Sequence, residues 1–276
     1  MTDRPLTLMA VHAHPDDEAS STGGMFARSA GEGIRTVLVT CTDGRCGDMP
    51  DGVKPGEPGH DPDAVVALRQ AELEESCAIL GVDDVELLGY HDSGMMGWDA
   101  NSAAGAFWAA PVDDAAARLA ALMLRYRPDV VITYDENGFY GHPDHIQAHR
   151  ITMAAVDRLA PEVAPAKVYW TTVPQEWMAE FAARMRENGA DWDADGDLPP
   201  LGLPAAEITT WIDNREFAER KYRALAAHAS QPDNQFFLRL ELPLFTEMMG
   251  IETFLRVRDT TNQPAGRETD LFAGLR

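Results

Sequence analysis

Two short segments concentrate imidazole and carboxylate side chains, the groups that bind metal ions and move protons in enzymes. The first reads HAHPDDE at residues 12–18, and the second reads GHPDH at residues 141–145. Each follows a predicted buried strand, and each contains a proline that stiffens the turn. A protein core does not use this pattern, because charges removed from water are costly unless they are paired or bound to a metal. Together the two segments predict a metal site.

The chemistry of a catalytic zinc site explains these residue types. Such a site takes three protein ligands, commonly imidazoles and a carboxylate, and keeps one position for water. The pKa of that water falls from about 15.7 to about 7, which makes it a nucleophile at neutral pH. A neighbouring carboxylate can take its proton, and a second imidazole can stabilise the oxyanion or protonate the leaving nitrogen.

Spacing within each segment adds geometric expectations. Asp16 and Asp17 are adjacent in sequence, so in an extended loop their side chains point in opposite directions. One of the two carboxylates can then bind the metal while the other faces the water. His142 and His145 are three residues apart and would share one face of a helix that begins near Pro143.

The elements that must position these segments alternate along the first half of the chain. Short apolar runs are predicted to be strands and longer amphipathic stretches to be helices. The predicted strands are 6–11, 34–41, 85–88 and 130–134, and the predicted helices are 23–30, 64–80 and 112–126. A residue among 20–22 is expected to cap the first helix. This alternation predicts a parallel sheet with helices on both faces, whose ligands bind outside the carboxyl ends of the strands.

The second half of the chain gives less regular signals. Residues 168–173 and 208–212 are predicted strands, and residues 175–188 and 214–229 are predicted helices. Lids over the cleft are considered at 94–110 and at the Asp/Gly/Pro-rich stretch 189–204. We predict a Rossmann-like catalytic domain over 1–165 that carries the metal site. A C-terminal α/β extension over 166–276 is expected to pack on it and shape the substrate cleft.

Composition argues against several classes of partner. The chain has 276 residues with 23 basic and 45 acidic side chains, and its formal net charge is −22. Such a charge repels nucleic-acid phosphates and anionic lipids. No apolar run approaches the roughly 20 residues of a bilayer span, and three cysteines do not make a disulfide framework. We expect a cytoplasmic enzyme with a small-molecule substrate, and leave open whether it is a homo-oligomer.

The sequence resembles the PIG-L or LmbE-like deacetylases through AHPDDE at 13–18 and GHPDH at 141–145. The resemblance covers residues 5–160 and resumes near 221–231. YDENGFYGHPDHIQAH and DSGMMG look most like the actinobacterial branch that acts on mycothiol precursors and conjugates. The resemblance implies a Rossmann-like fold and zinc-dependent hydrolysis of an N-acyl glucosamine unit, and ferrous iron would suit the same ligands.

The resemblance also implies the ligands and the proton-transfer groups. It makes His14, Asp17 and His145 the metal ligands. Asp16 becomes the general base that activates the water. His142 either stabilises the charged transition state or acts as the general acid.

Further roles follow from the same resemblance. Asp144 would orient one of the imidazoles, and Tyr140 would assist at the oxyanion. Relatives contact the sugar or its attached group at positions that match Arg69, Asp92, Met95 and His228.

Other functions fit parts of the sequence. The same chemistry on a larger acyl group would make the protein a mycothiol S-conjugate amidase or a glycopeptide or aminoglycoside sugar deacylase. A metal-binding module without turnover is a second alternative, although Asp16 supplies the base that such a module would lack. A nucleotide-binding protein would need the spacing G-x-G-x-x-G, which Gly23 and Gly24 do not provide. We expect these two glycines to permit close helix–sheet packing instead.

Overall fold

A seven-stranded sheet runs through the computed structural model, which describes residues 4–187, 201–231, 237–261 and 266–276. Its strands are β1 (Thr7–His12), β2 (Arg35–Thr42), β3 (Asp84–Tyr90), β4 (Val130–Thr133), β5 (Lys167–Thr172), β6 (Thr210–Asp213) and β7 (Ile251–Asp259). Their order across the sheet is β3-β2-β1-β4-β5-β7-β6. Strands β1 to β5 pair in parallel, and β7 runs antiparallel to both β5 and β6. The predicted mostly parallel α/β fold is confirmed.

Helices cover both faces of this sheet, as the alternating pattern predicts. They are α1 (Asp17–Gly31), α2 (Pro62–Leu80), α3 (Val112–Tyr126), α4 (Gly138–Gly141), α5 (Pro143–Arg158), α6 (Gln175–Glu187), α7 (Ala218–Ala227) and α8 (Leu242–Met249). Alternate residues of β1 belong to different apolar cores. Leu8 and Ala10 pack in the core that includes α1 and α7, whereas Met9 and Val11 pack in the core that includes α3 and α5. No described helix is both long and apolar enough to cross a bilayer.

The order of the strands brings the two motifs together. Strand β1 lies between β2 and β4, so the chain leaves β1 toward one side of the sheet and returns on the other. A parallel sheet opens a crevice at the carboxyl ends of its strands where the order reverses in this way. The segment after His12 and the segment after Thr133 both begin at this crevice.

Helix α1 begins earlier than the sequence suggests. The predicted helix 23–30, capped within 20–22, is wrong at its start, because α1 runs from Asp17 and Asp16 occupies the N-cap position. The expectation of an extended loop through Asp16 and Asp17 is therefore also wrong. Ala19, Thr22 and Phe26 are buried along one side of α1, so packing extends the helix through residues of weak helix propensity.

The C-terminal half contributes strand β7, which was not predicted from the sequence. Residues of this half pack against α1. A Cβ atom on Gly24 would lie 2.7 Å from Cβ of Asn214. The Glu252 carboxylate accepts hydrogen bonds from the backbone N–H groups of Gly24 and Met25, each at 2.8 Å, and Lys221 Nζ lies 2.8 Å from it. The predicted close packing at the paired glycines is confirmed. The division at residue 165 stays a prediction, and residues 189–200 of the proposed flap lie outside the described residues.

Candidate active site

Three buried side chains from the two motifs meet at the carboxyl ends of β1 and β4. His14 Nδ1 lies 3.3 Å from His145 Nε2 and 3.4 Å from Asp17 Oδ2, and His145 Nε2 lies 3.6 Å from Asp17 Oδ2. Tetrahedral zinc has ligands at about 2.0–2.1 Å, which puts neighbouring ligand atoms about 3.3–3.4 Å apart. The three donor atoms therefore have the spacing of a tetrahedral metal site.

The surroundings of His14 Nε2 support the same assignment of atoms. His14 Nε2 lies 3.3 Å from Asp144 Oδ2 and 3.6 Å from Asp92 Oδ1. A proton on Nε2 satisfies these carboxylates and leaves the lone pair of Nδ1 directed at the other donors, as is usual for metal-bound histidine. A buried set of lone pairs that face one another is costly without a cation between them. The residues present therefore fit a divalent metal.

Other donor groups lie close to the same histidine. A ring nitrogen of His142 lies within 4.8 Å of donor atoms of His14 and His145, and Asp92 and Asp144 form a second such group with His14. The two carboxylates face Nε2 of His14, on the side of the ring away from Nδ1. They are placed to hold the ring rather than to share the metal at Nδ1. His142 Nδ1 accepts a backbone hydrogen bond that caps α5. This nitrogen is therefore engaged, and Nε2 is the one that can meet another group.

Asp16 lies next to Asp17 in sequence but has different contacts. Its backbone has φ 140° and ψ −24°, which is rare for a residue other than glycine. Its Oδ2 lies 3.0 Å from Arg69 Nη2, and its N–H donates to Glu18 Oε2 at 2.9 Å. Burial raises the pKa of Asp16 to about 6, although Arg69 acts in the opposite direction. A carboxyl group with a pKa near neutrality is suited to accept and release a proton.

Arg69 and His228, both expected near the substrate, are buried and bonded to protein groups. Arg69 Nη1 donates to the carbonyl oxygen of Gly44 and Nη2 to that of Pro15, each at 2.8 Å. His228 is fully buried, and its Nε2 lies 2.7 Å from Glu18 Oε1. Glu18 also accepts the backbone N–H of Asp16. The side chains of Arg69 and His228 therefore help to fix the first motif. A sugar contact for either one stays a prediction.

His142 stands at the beginning of α5, as its spacing from His145 predicts. Its Nδ1 accepts the backbone N–H of Asp144 at 3.1 Å, and Pro143 occupies the first helical position. Burial lowers the pKa of His142 to about 2, and His14 and His145 act in the same direction. The ring is therefore neutral in the metal-free protein, with its lone pair on Nδ1 and its proton on Nε2.

Tyr140 lies in the short turn α4 that precedes His142. Its ring centroid is 5.1 Å from that of His145 and 6.0 Å from that of His142. Phe139 has φ 64° within this turn, and Asp135 Oδ1 accepts its N–H at 2.9 Å. The turn thus holds Tyr140 beside both imidazoles.

Tyr134 contacts Asp17 and His145, two of the candidate ligands, and was not among the predicted site residues. Its ring stacks on that of His145 at a centroid distance of 4.1 Å and an angle of 17°. Its hydroxyl donates to Asp17 Oδ2 at 2.7 Å, accepts the N–H of Ala13 at 2.9 Å and lies 3.2 Å from His12 Nδ1. The available signal was a tyrosine at the end of the predicted strand 130–134, which precedes the second motif.

The loop that follows β3 exposes several large apolar side chains. Asp92 is buried, and its Oδ1 accepts the N–H of Gly94 at 2.8 Å. Beyond it, Met95, Met96 and Trp98 are 39%, 50% and 44% exposed. Met95 thus lies in an apolar, solvent-facing loop, and its contact with substrate stays a prediction.

The chain matches known proteins along most of its length. The family described as GlcNAc-PI de-N-acetylase, PIG-L, matches residues 9–156. A protein of Acidothermus cellulolyticus named 1D-myo-inositol 2-acetamido-2-deoxy-alpha-D-glucopyranoside deacetylase is 44% identical over 281 residues. That match covers 98% of this chain and 95% of the relative.

Two solved structures share the fold at low sequence identity. N,N'-diacetylchitobiose deacetylase from Pyrococcus horikoshii is 18% identical with a TM-score of 0.57, over 91% of this chain and 83% of that one. GalB, the 4-carboxy-2-hydroxymuconate hydratase of Pseudomonas putida, is 18% identical with a TM-score of 0.63, over 94% and 99%. Because one is a deacetylase and the other a hydratase, these likenesses establish the fold alone.

Proposed function

The chain belongs to the PIG-L family of de-N-acetylases, and we propose that it removes the acetyl group from an N-acetylglucosaminyl inositol. Membership makes it an amide hydrolase, and the 44% identity to a deacetylase of that inositol glycoside supports the substrate. The observation that carries the proposal is the convergence of His14, Asp17 and His145, with Asp16 beside them. This arrangement supplies metal ligands and a base at one point of the crevice.

We propose that the metal is zinc, held by His14 Nδ1, Asp17 Oδ2 and His145 Nε2. Two imidazoles and one carboxylate at tetrahedral spacing suit this ion. A divalent metal held there supplies a water of lowered pKa and polarises the amide carbonyl. Asp144 and Asp92 keep the proton of His14 on Nε2, so that Nδ1 remains a ligand atom.

Asp16 moves the proton in this proposal. Its carboxylate takes a proton from the water that attacks the acetyl carbonyl carbon. It returns that proton to the nitrogen as the C–N bond breaks, so that acetate and the free amino sugar leave. The contact with Arg69 at 3.0 Å and the bond from its own N–H to Glu18 fix its orientation. Holding the base in place avoids the entropic cost of orienting it during the reaction.

His142 and Tyr140 serve the carbonyl oxygen of the substrate. With its proton on Nε2, neutral His142 donates a hydrogen bond toward the charge that develops on that oxygen. Tyr140, beside His142 and His145, is the second donor. Preorganised donors of this kind contribute most where water is excluded, and His142 is buried.

We propose the cytoplasm as the compartment, because Cys41, Cys46 and Cys77 are all free thiols. Reduced cysteines are expected where glutathione and thioredoxin act. The proposed partner is the amino-sugar conjugate itself.

The testing experiment measures primary-amine release by the zinc-reconstituted protein. The substrates are N-acetylglucosamine, its inositol conjugate, a mycothiol S-conjugate and an N-acyl glycopeptide, each with a chelator-treated control. We expect chelator-sensitive release that is fastest from the inositol conjugate. Faster cleavage of the S-conjugate or the glycopeptide would reassign the substrate and keep the chemistry. No release from any substrate by zinc-loaded protein would overturn the proposal.

A further inference from the structure

Tyr134 connects two of the proposed ligands that come from different helices. Asp17 opens α1 and His145 lies in the first turn of α5. The Tyr134 hydroxyl donates to Asp17 Oδ2 at 2.7 Å, and its ring lies against the His145 ring at 4.1 Å, nearly parallel. We propose that Tyr134 is a positioning residue of the metal centre, which sets the orientation of both ligands at once. This inference rests on the proposed ligand set and not on the substrate.

The Tyr134 hydroxyl holds Asp17 in place because the hydroxyl is itself held by hydrogen bonds to fixed groups. It has one proton, which goes to Asp17, and it accepts the N–H of Ala13 at 2.9 Å. The N–H of His14 donates to the same carboxylate oxygen at 2.8 Å. Two donors therefore hold Oδ2 of Asp17 at 3.4 Å from His14 Nδ1 and 3.6 Å from His145 Nε2.

The ring fixes His145 by packing. Tyr134 is 1% exposed and His145 is 3% exposed, so neither ring can tilt without displacing a neighbour. Close packing of this kind converts a small movement into a clash. The near-parallel stack sets the plane of the imidazole and hence the direction of the lone pair on Nε2.

A purely structural role makes a different prediction, which a second tyrosine allows us to test. Tyr169 is also fully buried, and its hydroxyl donates to the carboxylate of Glu268 at 2.8 Å. It lies in β5, and its hydroxyl bonds to neither the 12–18 motif nor the 141–145 motif. Tyr169→Phe therefore matches Tyr134→Phe in burial and in the loss of a hydroxyl–carboxylate bond.

The experiment measures zinc affinity by competition with a chromophoric chelator, using the full chain stripped of metal. Groups that orient metal ligands typically contribute about 10–100-fold to affinity, and we expect Tyr134→Phe to weaken zinc binding within that range. Tyr134→Leu, which also removes the stack, is expected to weaken it further. Tyr169→Phe should bind zinc like the wild type, even if its melting temperature falls.

A second measurement separates a change in ligand geometry from a loss of stability in the variants. The visible spectrum of the cobalt-substituted protein reports ligand geometry and is recorded at a temperature where circular dichroism shows the fold intact. A changed spectrum in Tyr134→Phe and an unchanged one in Tyr169→Phe support the inference. Wild-type affinity and spectrum in Tyr134→Phe overturn it while leaving the ligand set in place. If His145→Ala retained zinc, the proposed ligand set would be wrong, and the inference about Tyr134 would fail with it.

Discussion

Arg69 Nη2 contacts Asp16 Oδ2 at 3.0 Å and donates to the carbonyl oxygen of Pro15 at 2.8 Å. One guanidinium nitrogen thus binds both the side chain of the proposed base and the backbone of the residue before it. Because Asp16 has φ 140°, a conformation that costs of order 1–3 kcal/mol for such a residue, an external contact is needed to hold it. Arg69 provides that contact from α2.

Arg69→Lys is expected to lower kcat by about 10²-fold with little change in KM. Lysine keeps the charge but cannot bind several acceptors in one plane, and a small misplacement of a catalytic group has an effect of about that size. Steady-state kinetics on the inositol conjugate measure both constants. A raised KM with normal kcat would instead indicate the sugar contact predicted from the family resemblance.

Asp16→Asn should keep zinc and lose about 10²–10⁴-fold in kcat, since a general base typically contributes that much. Turnover and zinc content are measured on the same sample. Asp113→Asn is the control, because that side chain is 88% exposed and pairs with Arg158 at the surface. Full activity in Asp16→Asn would mean that another group takes the proton.

His145→Ala should fail to retain zinc after desalting, because it removes one of three proposed ligands. His149→Ala is the matched control, one turn further along α5. Its ring bonds to the carbonyl oxygen of Tyr134 at 3.0 Å and not to the ligand atoms. Elemental analysis of the purified proteins gives the stoichiometry and identifies zinc or iron. Equal zinc in both variants would contradict the ligand set.

The pH profile of kcat/KM should fall on the acid side as Asp16 becomes protonated. Its pKa is raised to about 6 by burial in the metal-free protein, and a nearby cation favours the ionised form and lowers it. Since the base acts as the carboxylate, activity rises with pH through this pKa and the acid limb lies at or below about pH 6. An acid limb that persists unchanged in the residual activity of Asp16→Asn would assign it to another group.

Glu252→Ala should lower the free energy of unfolding by about 3–5 kcal/mol, because it leaves the buried Lys221 ammonium without its partner. Both side chains are only 3% exposed. Urea unfolding monitored by circular dichroism gives the change. Glu32→Ala is the comparison at the surface, where Glu32 contacts Arg28 and Arg276 and an exposed ion pair contributes about 0.2–1 kcal/mol. Similar losses in the two variants would show that Lys221 finds another partner or water.

The sequence correctly predicts that the two motifs meet, and their role as a metal site stays a prediction. His14 and His145 lie together because β1 and β4 are parallel neighbours, and the spacing of His142 and His145 places both at the beginning of α5. Both conclusions follow from strand-end positions and helix periodicity, which are local properties.

Contacts made across the fold could not be predicted in this way. The buried bonds of Arg69 depend on the loop that wraps around it, and Tyr134 meets His145 only after α5 has packed on the sheet. Strand β7 was not predicted, and its antiparallel pairing with β5 and β6 joins segments that are distant in sequence. The start of α1 was missed because burial, rather than propensity, extends it to Asp17.

The contact between Glu252 and the helix backbone at Gly24 has a consequence for the order of folding. These residues are 228 positions apart, and contacts of such separation close slowly because a long loop must first be ordered. During synthesis α1 is made long before β7, so the bonds from Gly24 and Met25 to Glu252 form only after the C-terminal half is present. We expect α1 to reach its final packing only after the C-terminal half of the chain has been synthesised.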